Sequence, residues 1–360
     1  MYSNTTKKGE TTMTKKMLIS ALVFGVLFAG VVGTADAQNK RTGTSAAPEL
    51  LIPVGARYLA MGSSSLANSM GVEAVHYNPA GLGLLTRSAE GMFSSMSYIA
   101  DINVTYGAVG ASFGEFGVVG LSIKSLNFGD IPLTTNNDPE NSSGASFSPT
   151  YVTVGATYAR PLTDAISVGI TAKLVTEQID RVSATGVAFD FGVQYRGLVD
   201  VKGLALGVAV KNIGPGMKFD GSGLYRSAVS SDGSRPEQPY KSEAAVFDLP
   251  SLVEFGLAYS GNFSDELSYV GSGSFTNNNL YVDEWRMGGE VLFSSDQVRL
   301  AGRVGGTLLP NVEKEDRIFG ITAGVGITYI TSDLELTFDY AFRQVDLFNN
   351  NNVFSLKVGF

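Results

Sequence analysis

Proton-transfer chemistry in this 360-residue chain would have to be built from its single histidine, His76, and from carboxylates such as Asp190, Glu254, Glu290 and Asp339. Two facing carboxylates can divide the roles of general acid and base, and a histidine can take either role near neutral pH. One histidine leaves a catalytic triad incomplete and rules out a His-pair metal site and a metalloprotease motif. The absence of cysteine removes thiolate metal sites and disulfide scaffolds. No glycine-rich phosphate loop stands between a strand and a helix. The four carboxylates share the polar parity of alternating segments with lysines and arginines, which favours ion-pair networks over an acid/base pair. No catalytic site, metal or cofactor is therefore expected.

Those carboxylates must be positioned by strands. From about residue 89 onward, runs of ten or so residues alternate with period two between clusters of Gly, Asn, Asp, Ser and Pro. The runs are 89–99, 103–113, 116–126, 149–160, 165–178, 185–197, 201–213, 246–260, 265–275, 283–294, 297–309, 317–331, 333–344 and 350–360. One late run places Phe319, Ile321, Ala323, Val325, Ile327 and Tyr329 on one face, against Gly320, Thr322, Gly324, Gly326 and Thr328. The next opposes Leu334, Leu336, Phe338, Tyr340 and Phe342 to Glu335, Thr337, Asp339, Ala341 and Arg343. Upstream, Lys124, Lys173, Glu177, Arg196, Lys211, Arg286, Arg299 and Arg303 also keep to the polar parity.

A charge facing lipid at the midplane costs about 2–4 kcal/mol, whereas a hydrated lumen tolerates it, so this segregation fits a transmembrane barrel. The links support the same reading. Alternate links are tight, at 114–115, 161–164, 198–200, 261–264, 295–296 and 332, while the intervening ones include 127–148 and 214–245. Short periplasmic turns with long extracellular loops are the pattern of bacterial barrels. The expected fold is an all-β, transmembrane antiparallel barrel of about fourteen strands spanning 89–360, with Trp285, Tyr281, Tyr329, Tyr340 and Phe342 as candidates for interfacial girdles.

Composition agrees. The chain holds 43 glycines and 17% charged residues, and a mean hydropathy of +0.11 suits a barrel whose lipid face is averaged with a polar interior. No central segment is apolar for long enough to be a membrane helix. A net charge of -8 argues against nucleic acid as a partner. Lys15 and Lys16 precede an apolar run from Met17 to Val32 and then Ala35-Asp36-Ala37, which predicts a signal peptide over 1–37, with Met13 an alternative start.

Residues 38–88 do not alternate and are too apolar for a disordered tail. In a barrel of this size they have the lumen to fill, so they are expected to form an N-terminal hatch with short helical turns through 56–66. Within it, Asn78-Pro79-Ala80-Gly81-Leu82 reads as a shaped turn: Pro79 disfavours helix at Asn78, Gly81 permits a positive φ, and Ala80 allows close approach to the wall. His76 reads as a hydrogen-bonded hatch residue.

The stretch Ala46 to Arg57, containing Gly55-Ala56-Arg57, then Met61-Gly62 and Tyr77 to Leu82, resembles the PorV/PorQ family of FadL-like outer-membrane proteins. The chain departs from it at Ser63-Ser64-Ser65, where glycine is usual. The last strand, with Phe354, Leu356, Val358 and Phe360 on one face, resembles the C-terminal signature read by the barrel assembly machinery. The resemblance implies fourteen strands, a hatch, and a place in the bacterial outer membrane among its lipids. It further implies a non-enzymatic platform for type IX secretion or surface attachment, with the translocon and secreted clients as partners. The alternative it implies is a FadL-like channel for hydrophobic ligands, and a purely structural barrel is a third reading.

Overall fold

The computed structural model describes residues 43–229, 236–310 and 312–360. The expected signal peptide and its cleavage site lie outside the described residues.

Fourteen antiparallel strands close into one barrel, each paired with its sequence neighbours. They are β1 (Ala89–Ser97), β2 (Asn103–Ser112), β3 (Val118–Asn127), β4 (Thr150–Pro161), β5 (Ile166–Ile179), β6 (Val182–Arg196) and β7 (Leu204–Ile213). The second half comprises β8 (Leu252–Asn262), β9 (Leu267–Asn278), β10 (Glu284–Ser294), β11 (Val298–Leu308), β12 (Phe319–Ile330), β13 (Glu335–Val345) and β14 (Asn351–Gly359). Strand β14 closes onto β1 from Glu90↔Gly359 to Ser97↔Asn352. Closure leaves no unpaired edge, which a bilayer requires because it offers no water to satisfy one.

The alternation separates two surfaces. Outward residues such as Val109, Leu121, Val304, Ile321, Val325 and Phe338 are exposed, the band a hydrocarbon layer covers. Inward residues include the buried Lys124, Glu177, Asp190, Lys211, Glu254, Glu290, Arg303 and Asp339. A water-soluble chain exposing so continuous an apolar surface would associate.

Two register shifts break the regularity. Between Phe319 and Thr322 the pairing of β12 with β13 slips, so that Phe319 sits opposite Val345, whose parity faces the lumen. Phe319 accordingly turns inward under the Arg343 guanidinium, 3.9 Å from its ring centroid, and does not join the lipid face as strict alternation predicts. The second lies between Phe189 and Phe191 on β6. Opposite it Asn212 adopts φ +59 and its N–H donates to Asp190 Oδ1 at 2.8 Å.

The expected run 246–260 begins later, at Leu252. Residues Val246–Phe247 pair instead with Met217–Lys218 inside the long loop. Just before β8 the chain contains Pro250, which has no N–H to give a ladder, and its carbonyl accepts from the Asn212 side chain. Run 201–213 likewise starts at Leu204, after a 3-10 turn at Leu198–Asp200. The loops 128–149, 214–251 and 309–318 share one rim with the tight turn at 180–181, and short turns occupy the opposite rim throughout.

The hatch contains a 3-10 turn (Pro48–Leu51), two short helices (Ala56–Ala60 and Ala74–Tyr77) and a second 3-10 segment (Pro79–Leu84). It enters at the long-loop rim, where the Ala46 N–H donates to Asp248 O at 3.0 Å. It leaves at the other rim, where Arg87 donates to Ser332 O at 3.3 Å. The lumen therefore holds chain from end to end.

Candidate functional site

The hatch starts its first helix at Gly55, whose φ of +77 is a left-handed conformation. A Cβ there would also strike the Glu73 carboxylate and the Met92 methyl, so both strain and space demand glycine. The next N–H, of Ala56, donates to Ser355 Oγ on β14 at 2.8 Å. Arg57 then reaches β10, its Nε donating to Glu290 Oε2 at 3.1 Å and its Nη2 to Oε1 at 2.8 Å. Glu290 also accepts from Arg303 Nε at 2.6 Å, and Arg303 Nη1 donates to Asp339 Oδ1 at 2.6 Å. The alternating chain Arg57–Glu290–Arg303–Asp339 neutralises itself where desolvated single charges would be costly.

The second motif is a bracket. Asn78 is extended, at φ -151 and ψ 109, as the proline after it requires, and Pro79–Leu84 begins directly behind it. Asn78 Oδ1 accepts from the Ala80 N–H at 3.1 Å, while Nδ2 donates to Leu66 O at 3.0 Å and to Val193 O on β6 at 3.1 Å. Ala80 O accepts from Ser167 Oγ on β5 at 2.7 Å. Leu82 is fully buried, against Gly110 and Gly120. Gly81 is not among the residues with positive φ. Its small size is needed for another reason, because a Cβ would collide with Ser69 O and with Ala74 Cβ at 2.6 Å. Ser63, at the departure from the family pattern, takes φ +59, and Ser64 Oγ bonds Ser272 Oγ at 2.7 Å.

Sequence reasoning missed the other half of this interface. Strand glycines on the lumen parity are the surfaces on which the hatch lies. Gly169 and Gly192 lie under Pro79 and Asn78, Gly207 and Gly256 under Leu66, Gly288 and Gly305 under Met61, and Gly324 under Ala60. Glycine inside a strand commonly relieves crowding or allows the sheet to bend, and nothing in the residue itself distinguishes that use from this one. The signal that separates them is parity, because they fall on the polar side of their strands, where bulk would fill the lumen.

The remaining expected residues fall into place singly. Asp190 pairs with Lys173 at 2.5 Å. Glu254 pairs with Lys211 at 2.7 Å and Arg286 at 3.2 Å. Asp190, Glu254, Glu290 and Asp339 thus each meet cations, whereas the two carboxyls that do lie together are Glu177 of the wall and Glu49 of the hatch. His76 packs edge-on to Tyr77 with centroids 5.1 Å apart, and its carbonyl accepts from Lys211 Nζ at 3.3 Å. Burial, then the charges of Lys124 and Lys211, hold its imidazole well below the usual histidine range. Burial and the Asp339 charge push Glu73 up to about 7. A cavity of about 30 Å³ lies between hatch and wall beside His76.

Phe354 and Leu356 are exposed on the outer face of β14. The Phe360 N–H donates to Ala89 O at 2.9 Å, fastening the chain end to the start of β1. Trp285 faces outward at the long-loop end of β10 with its ring 4.8 Å from Phe275. Tyr281 is not at the lipid interface: its hydroxyl bonds Ser45 Oγ at 2.7 Å, tying a loop to the hatch.

The sequence matches the family described as "Type IX secretion system protein PorV" over residues 35–229. No curated protein matches it. Among solved structures the chain is similar to the CymD monoaromatic hydrocarbon channel, at 13% identity and TM-score 0.54, covering 86% of this chain and 98% of that one. It is similar to the Ralstonia pickettii toluene transporter TbuX, at 14% identity and TM-score 0.54, covering 85% and 98%. It is also similar to the Pseudomonas putida toluene transporter TodX, at 12% identity and TM-score 0.52, covering 84% and 96%. At these identities the structural likeness establishes a shared fold.

Proposed function

Since this chain belongs to the PorV family of type IX secretion proteins and forms a FadL-like outer-membrane barrel, we propose that it serves as a non-enzymatic platform for protein secretion or surface attachment, acting through its loop rim. The observation that carries this reading is the seating of the hatch. It is held to β10 by a forked ion pair and lies against bare backbone at the lumen glycines, which favours a filled wall over a passage. The loops 128–149 and 214–251, the longest links between wall strands, are the segments this reading assigns to partners, namely translocon components and secreted clients. The lumenal carboxylates are given a structural role in this reading.

Replacing 131–147 or 217–247 by a short turn tests it. Client secretion or attachment should fall while the barrel keeps its heat-modifiable migration in detergent gels; unchanged secretion in both strains overturns the proposal. Maturation by removal of 1–37, leaving 38–88 as hatch, is part of the same reading, and N-terminal sequencing of the membrane form checks it.

The second reading, a channel for hydrophobic small molecules, draws on the fold shared with the toluene transporters. A roomy apolar pocket beside the hatch would favour it, whereas the cavity there measures about 30 Å³ and sets Lys124, Lys173 and His76 beside Leu50 and Val75. Toluene uptake that depends on this protein in whole cells would establish it.

A further inference from the structure

The cavity beside His76 is built from two adjacent rows of the wall. Tyr106 on β2 is the register partner of Lys124 on β3, which is in turn the partner of Thr153 on β4. In the next row Ser122 pairs with Gly155, and Gly155 with Lys173 on β5. Gly155 opens the space, since a Cβ there would stand 2.6 Å from Ser122 Oγ. From the hatch, Leu50, Val75 and His76 complete the enclosure. Its volume of about 30 Å³ suits one or two water-sized particles.

The charges around it do not cancel. Lys173 is neutralised by Asp190 at 2.5 Å. Lys124, 5% exposed, donates to Glu49 O at 2.8 Å and Ile52 O at 3.0 Å, and among the described residues it makes no ion pair. Glu49 acts on it electrostatically without an ion-pair contact, and burial, then the nearby Glu177, push the Glu49 carboxyl up to about 8, so it carries little charge at neutral pH. His76 is held neutral and supplies no further charge. The Tyr106 and Thr153 hydroxyls line the same space and are buried without a well-formed hydrogen bond among the described residues, Tyr106 having the Ser122 hydroxyl of the cavity wall as its neighbour. A buried lysine with no carboxylate in contact and two hydroxyls without an acceptor are each costly alone, and an anion beside the lysine favours its charged form. One small anion accepts from all three.

We infer that this cavity is a binding site for a monovalent halide-class anion, coordinated by Lys124, Tyr106 and Thr153, which fastens the Pro48–Leu51 turn of the hatch to the wall. The anion balances Lys124 while that lysine holds the two hatch carbonyls.

Bromide is the probe. Crystals of the mature barrel grown in detergent with bromide should show an anomalous peak between Lys124 and Tyr106. Thermal unfolding, followed at constant ionic strength with isethionate replaced by bromide, should shift upward and saturate. In K124M the peak and the saturable component should both vanish. Should K124M fail to fold, the double variant Y106F/T153V carries the test: its half-saturating bromide concentration should rise about tenfold, as expected for the loss of two modest hydrogen bonds. A peak-free cavity holding water alone overturns the inference. So does a bromide response that never saturates, or one identical in wild type and in whichever variant folds.

Discussion

Arg57 and Glu290, separated by 233 positions in sequence, meet through two parallel hydrogen bonds of 3.1 and 2.8 Å that join the first helix of the hatch to the tenth strand of the wall. The geometry is the forked arrangement that guanidinium and carboxylate share and that lysine cannot reproduce.

Glu290→Gln keeps the volume and removes the charge on which both Arg57 and Arg303 converge. Breaking a buried pair by deleting one partner costs about 3–5 kcal/mol. The denaturation midpoint in urea should fall accordingly, and the segment around Arg57 should become cleavable by protease before the barrel unfolds. Arg57→Lys should give a smaller loss of the same kind. Wild-type midpoints in both variants would show that the pair does not hold the hatch.

Gly192→Val places a side chain where Asn78 and Pro79 now lie against β6. The bracket must lift off the wall, and limited proteolysis between 66 and 85 should report it. Gly302→Val is the control, since nothing stands within 4 Å of its added Cβ. Equal behaviour of the two variants would refute the role assigned to lumen glycines.

Glu73 sets a pH dependence whose sign is fixed by burial. Its carboxyl is raised from 4.5 to about 7, so the folded chain keeps a proton that the unfolded chain releases. Stability therefore falls as pH rises between those values and levels off above the folded one. His76, whose folded value is depressed, acts the other way and costs stability as pH drops below 6.5. Glu73→Gln should remove the alkaline loss, leaving the variant more stable than wild type at pH 8 by roughly 2–3 kcal/mol and nearly equal to it at pH 5. Parallel stability curves for the two proteins would count against this assignment.

Val325→Lys on the outer face of β12 should cost about 2–4 kcal/mol if it meets hydrocarbon near the midplane. Thr328→Lys on the lumen side of the same strand should be better tolerated. The comparison is read as the temperature at which folded and unfolded bands interconvert on a detergent gel, and a reversed order would deny that the outer face contacts lipid.

Much of the wall was legible in the sequence because a strand in a barrel answers to two solvents at once. Lipid on one side and a polar lumen on the other imprint a period of two that needs no knowledge of partners, and Val325, Phe338 and Asp339 can be assigned to a face from their neighbours alone. Period-two reasoning fails where the ladder slips. Phe319 faces inward because an extra residue at the start of β12 is absorbed by a bulge, and nothing in the local pattern marks it. The run expected from 246 failed at Pro250 for a similar reason: its first residues found partners inside their own loop.

What the sequence determined by itself is the chain's division into a greasy, alternating wall and a non-alternating N-terminal segment, because hydrophobic periodicity is a local property. What only the tertiary structure decided is which wall residues the hatch touches. The grip of Arg57 on Glu290, the glycines under Pro79 and Met61 and the lone ammonium of Lys124 depend on contacts between segments far apart in the chain. Such contacts are fixed by barrel register and strand order, and no short stretch of residues encodes them.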